Sequence, residues 1–175
     1  MSITVTNQQQ GCRVSPARVQ RLMVWLARQA GLRLGSLEIL LTDDVGIGAA
    51  NRAVFGRDYV TDVISLAYPP LPGEQGGAGE LIINIALAAR EGARRAGGPG
   101  RELALYLAHG CDHLAGADDA TPRQRAAMRR RELRWLRAAA RGGLLCGLFP
   151  PSAPLRAGKA WKKEVKLFQG RGNFR

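Results

Sequence analysis

His109-Gly110-Cys111-Asp112-His113-Leu114-Ala115-Gly116-Ala117-Asp118-Asp119 contains both histidines of this 175-residue chain. Upstream, the spacing of Leu103, Leu107, Gly110 and Leu114 predicts a helix over residues 101–115 whose apolar stripe faces a core. Residues four apart share a helix face, so the imidazoles of His109 and His113 reach one point at the rim of that core. Gly116 can turn the chain sharply and bring Asp119 back as a third ligand. Two neutral imidazoles and a carboxylate suit one divalent metal ion, with Zn²⁺ as the expected ion. Three protein ligands leave a fourth position open for water, the arrangement of a catalytic rather than a structural site. The plainer reading is two ordinary polar residues near a helix end.

Working outward from this helix, four segments read as strands. Ile3–Asn7 alternates, Leu37–Thr42 is a short apolar run, Asp62–Tyr68 ends at Pro69-Pro70, and Glu80–Ile85 is again apolar. Helices are expected after Ser15-Pro16 up to Gly31, over residues 45–55, 86–96 and 122–141, with Gly97-Gly98-Pro99-Gly100 as a separator. Gly76-Gly77-Ala78-Gly79 is not a phosphate cradle, because no Gly-Lys-Ser/Thr follows and the next element is a strand; a flexible connection over residues 69–79 is expected. The fold class is α+β: one domain, a four-stranded sheet flanked by helices, with the metal-binding helix lining a cleft. That domain is expected to span residues 1–141, followed by a basic, Gly- and Pro-containing tail over residues 142–175 that is mobile apart from apolar contacts of residues 144–149 and a short amphipathic turn over residues 160–168.

Charge is distributed unevenly. Residues 1–121 carry 11 basic and 12 acidic side chains, residues 122–141 eight arginines against Glu132, and residues 142–175 seven basic side chains against Glu164, within an overall charge of +12. A near-neutral body with a basic end is the pattern of a polyanion-binding surface. Arg123, Arg130, Arg134, Arg137 and Arg141 recur on one side of the predicted helix, and the last four are the RNA-binding candidates. The three cysteines form no Cys-x-x-Cys pair, which argues against both a disulfide framework and a thiolate zinc site. No apolar run approaches membrane length and the start alternates like a strand, so a cytoplasmic location without membrane association is expected.

With these residues in view, the chain resembles the YbeY-type endoribonucleases, the ribosomal RNA maturation factors. Their hallmark, His-Gly-x-Leu-His-Leu-x-Gly-x-Asp-His, is similar to residues 109–119; an Asn followed by Thr-Asp-Val-Leu-Ser-Phe is similar to Asn51 and Thr61–Leu66; and Gly-Asp-Ile is similar to Gly79-Glu80-Leu81. These blocks fall in order within residues 37–135. Three positions depart from the pattern. Asp119 stands where the family has its third histidine, Asp112 where it has Leu, and Phe55 where it has an arginine, leaving Arg52 and Arg57 as candidate phosphate clamps. The resemblance implies a metal-dependent, single-strand-specific endoribonuclease acting at the 3′ end of small-subunit ribosomal RNA, with ribosomal RNA or ribosomal particles as partners. The alternative is a catalytically weakened RNA-binding assembly factor. A zinc metalloprotease fits the His109, His113, Asp119 spacing but lacks the glutamate base after the first histidine, where Gly110 stands.

Overall fold

A computed structural model of the chain describes residues 1–150 apart from Glu74. Its elements run β1 (Ser2–Asn7), α1 (Pro16–Ala30), β2 (Leu34–Thr42), α2 (Asp44–Phe55), β3 (Val63–Tyr68), β4 (Gly77–Asn84), α3 (Ile85–Arg94), α4 (Gly98–Leu114) and α5 (Pro122–Arg141). The sheet order is β1-β2-β4-β3; β1, β2 and β4 are mutually parallel, and β3 runs antiparallel to β4. This is the α+β architecture expected, with a four-stranded sheet and five helices among the described residues.

Alternation decides which side chains meet which helix. On one face Leu37, Ile39, Leu41, Leu81 and Ile83 pack against Val19, Leu22, Met23 and Leu26 of α1 and against Leu103 and Leu107 of α4. On the other, Ile64 and Ile82 pack against Ile47 and Ala50 of α2. Each fully buried leucine or isoleucine contributes about 2 kcal/mol of hydrophobic transfer energy. Because β4 is covered on both faces, its stretch Leu81-Ile82-Ile83 is apolar at successive positions instead of alternating.

Two expected breaks are absorbed into regular structure. Gly77, Ala78 and Gly79 belong to β4, where they pair with Leu34, Ser36 and Leu37 on one side and, for Ala78 and Gly79, with Tyr68 and Ala67 on the other. Ladder hydrogen bonds on both sides of a central strand outweigh the weak strand preference of glycine. Likewise Gly98, Pro99 and Gly100 form the first turn of α4 rather than a separator, since proline lacks only an N–H that the first turn leaves unpaired. Helix α4 is also buried more completely than a single apolar stripe implies: apart from half-buried His109, every residue from Glu102 to Asp112 is buried.

After α5, Leu148 is fully buried and its carbonyl accepts from Ser15 N at 3.0 Å, with Leu144, Leu145 and Phe149 packed on the same core. The rest of the basic tail, including residues 160–168, lies outside the described residues.

Candidate metal centre

Helix α4 reaches the site because Gly110 lets it sit directly on the sheet. A Cβ there would lie 2.7 Å from Leu81 Cδ2 and 3.1 Å from Ser65 Oγ. His109, one residue earlier and about 100° around the axis, emerges at the sheet edge, and His113 follows one turn on. Cys111, between them in sequence, points into the core, where burial pushes its thiol up to about 12; it is a packing residue and not a ligand.

Hydrogen bonds define both imidazoles. His109 Nδ1 lies 2.7 Å from Oε1 of buried Glu132 on α5, and His113 Nδ1 lies 3.1 Å from the carbonyl oxygen of Ala117. Both partners are acceptors, so each Nδ1 is the donating nitrogen, and each ring directs its Nε2 away from that partner. Those two Nε2 atoms are 3.2 Å apart. Two lone pairs aimed at each other at that distance repel unless a cation or a proton stands between or beside them.

Asp119 completes the group. Gly116 takes φ +90°, a left-handed conformation that other residues rarely adopt, and reverses the chain after α4. Arg125 then clamps the return loop by donating to the carbonyl oxygens of Asp119 and Ala120 at 2.8 and 3.0 Å. Ligand atoms of His109, His113 and Asp119 lie within 4.8 Å of one another, so the cluster can hold a metal ion. The donor set, two imidazole nitrogens and a carboxylate oxygen, is one that divalent metal ions accept. Burial pulls the His109 pKa down, but the hydrogen bond and charge of Glu132, with further charge from Asp62 and Asp119, more than offset this and leave it raised.

The cluster forms the floor of an open cleft of about 590 Å³ whose walls include Phe55, Arg57, Tyr59 and Asp62. Asn51, buried, donates to the Tyr59 carbonyl at 2.8 Å and holds that wall in place. The Arg57 guanidinium lies 5.7 Å from the centre of the Phe55 ring and 3.2 Å from the Tyr59 hydroxyl. Arg52 instead forms an exposed ion pair with Asp58 and does not line the cleft. A smaller hollow of about 340 Å³ shares Asp62, His109 and Asp119 with this cleft and is further lined by Arg125, Met128, Arg129 and Glu132.

Glu132 and Asp62 are the residues that sequence reasoning did not single out for a role. Glu132 stands 23 residues from His109 in the chain, and no local spacing links them. Asp112, the charged residue in an apolar slot, is buried and receives Arg131 in a two-pronged pair, with Nε at 3.1 and 3.0 Å and Nη2 at 2.9 Å. Arg130, Arg134, Arg137 and Arg141 are exposed on the opposite side of α5 from Glu132 and outside both hollows.

Residues 4–140 match the sequence profile of the family described as Endoribonuclease YbeY. The chain belongs to this family. Among curated members of the YbeY family, that of Rhodopirellula baltica is 36% identical over 130 residues, covering 70% of this chain and 64% of its own length. That of Anaeromyxobacter sp. is 36% identical over 121 residues, covering 69% of this chain and 62% of its own length. The chain therefore spans less than two thirds of the length of these two relatives. In fold, it is similar to the solution structure of a Thermotoga maritima protein, with a TM-score of 0.53 and 16% identity over 84% of this chain and 90% of that one.

Proposed function

We propose that this chain is a metal-dependent endoribonuclease that cleaves single-stranded RNA in the maturation of the 3′ end of small-subunit ribosomal RNA, working in the cytoplasm on ribosomal RNA or ribosomal particles. Family membership supports the RNA-cleaving reading, and the converging Nε2 atoms of His109 and His113, 3.2 Å apart with both Nδ1 atoms engaged elsewhere, are the observation that carries the metal. In this reading His109, His113 and Asp119 hold one divalent ion, with Zn²⁺ the best match to the donors. When bound, such an ion supplies Lewis-acid polarisation of a phosphoryl oxygen and lowers the pKa of a water near the scissile bond.

The chain's own residues do the rest. Glu132 fixes the tautomer and angle of His109, and the Ala117 carbonyl does the same for His113. Arg57 places a cation in the cleft two residues from Phe55, so the phosphate contact that the family arginine would make has a substitute on the same wall. Phe55 and Tyr59, both exposed, offer ring faces to unpaired bases, which favours a single strand over a duplex in the cleft. Among the described residues no helix is long and apolar enough to cross a membrane.

The test is cleavage of an unstructured RNA by protein whose metal content is known. Activity lost on chelation, regained with Zn²⁺ and absent in His109→Ala supports the proposal. Full activity after complete metal removal overturns the metal. A metal-loaded protein that binds RNA without cutting it establishes the weakened assembly factor, the reading that Phe55 in place of arginine favours.

A further inference from the structure

The eight arginines of α5 separate into two groups. Arg131 is taken by Asp112, Arg125 by the carbonyls of Asp119 and Ala120, and Arg129 lies 3.6 Å from Glu132. The other five, Arg123, Arg130, Arg134, Arg137 and Arg141, are exposed, and among the described residues none of them enters an ion pair. At about 100° per residue these five fall within an arc of about 60°, in a row about 27 Å long. Glu132, which reaches His109, lies about 180° from Arg123 and Arg141 on the same helix. The row therefore points away from the metal cleft.

We propose that this outward face of α5 docks the phosphate backbone of double-helical RNA, while the cleft on the other side receives an unpaired segment. The inference rests on the RNA-cleaving reading only for the second half of that statement. Charge complementarity is undiluted, because the one acidic residue of α5, Glu132, is buried on the opposite side. All five cations are arginines, whose planar forks pair with phosphate oxygens through two hydrogen bonds. The face also lacks what single-strand binding uses: the one aromatic residue of α5, Trp135, is buried, so no ring is available for a base to stack on. Duplex RNA is recognised through its phosphates and 2′-hydroxyls and needs no such ring. A membrane surface is disfavoured, because the row is not accompanied by exposed large apolar side chains on α5.

The experiment compares the full chain with Arg130→Gln/Arg134→Gln/Arg137→Gln/Arg141→Gln by fluorescence anisotropy. The probes are a blunt RNA duplex of about 16 base pairs, long enough to span successive grooves, and an unstructured strand of equal length. Duplex affinity is expected to fall about tenfold or more, and the slope of log affinity against log salt to shrink by roughly 0.9 for each phosphate that the variant no longer neutralises. Strand affinity should change far less, with helicity and bound metal unaltered. Unchanged duplex affinity reduces the row to a solvated face and overturns the proposal. An equal loss for both probes overturns duplex docking in favour of a general positive field, and tighter binding to vesicles rich in anionic lipid than to the duplex overturns it in favour of a membrane. Because binding alone is read, these outcomes leave the cleavage reading standing, and a failure to cleave leaves the docking result standing.

Discussion

Oε1 of Glu132 lies 2.7 Å from Nδ1 of His109, joining a buried carboxylate on α5 to an imidazole on α4. This hydrogen bond orients the ring so that Nε2 faces His113, and it increases the basicity of that nitrogen toward any cation it meets. Replacing Glu132 with Gln keeps the volume and removes the charge. Metal affinity is expected to fall about 10- to 100-fold, measured by competition against a chelator, with the helical content of the protein unchanged. An unaltered affinity would detach Glu132 from the site.

Purified protein is expected to carry about one divalent ion per chain, and His109→Ala/His113→Ala to carry none, since the remaining carboxylate is too weak a ligand alone. Elemental analysis decides this. Equal metal content in the two proteins would sink the assignment of the site.

The raised pKa of His109 sets a pH dependence whose sign reverses with metal. Without metal, a proton retained by folded His109 stabilises the protein; this contribution is fully present below the unfolded imidazole pKa and is lost as pH rises through the higher folded value. Metal binding competes with that same proton, so affinity weakens as pH falls through the raised value, above the ordinary imidazole range of about 6.5. Thermal midpoints of metal-free and metal-loaded protein measured between about pH 5.5 and pH 8.5 should therefore diverge as pH rises. Parallel curves would contradict the coupling.

Asp112 and Arg131 tie α4 to α5 next to His113, one of the candidate ligands. Asp112→Ala leaves a half-buried guanidinium without its partner and is expected to cost about 3 kcal/mol in urea unfolding. Asp112→Leu with Arg131→Met should recover most of that loss, because an apolar pair of similar volume replaces a desolvated ion pair. A double variant no more stable than Asp112→Ala would show that the pair does more than satisfy itself.

Arg57 is expected to matter to cleavage and not to folding. Arg57→Ala should lower kcat/KM on unstructured RNA about 10- to 100-fold, the value of one charge-assisted hydrogen bond, while the thermal midpoint stays within a degree or two of wild type, since the side chain is exposed. The replacement Phe55→Arg in that background tests whether the family's arginine position can take over.

Local sequence determined most of the elements and the grouping of the candidate ligands. His109 and His113 are four residues apart, so helix geometry alone brings them to one place, and the turn at Gly116, held by Arg125, returns Asp119 to them from only six residues on. Strand-like runs and caps are equally local, and they sufficed for an α+β fold with four strands. Tertiary structure decided what depends on distant segments. The sheet order, the capture of Gly77–Gly79 into β4, the ion pair that admits Asp112 to the interior, and the side of α5 that faces the cleft all follow from packing between segments far apart in sequence. The arginine row shows the division most clearly: its periodicity was legible from spacing, but its direction was not, because a helix has no inside until another element covers one of its faces, and here α4 covers the face of Glu132.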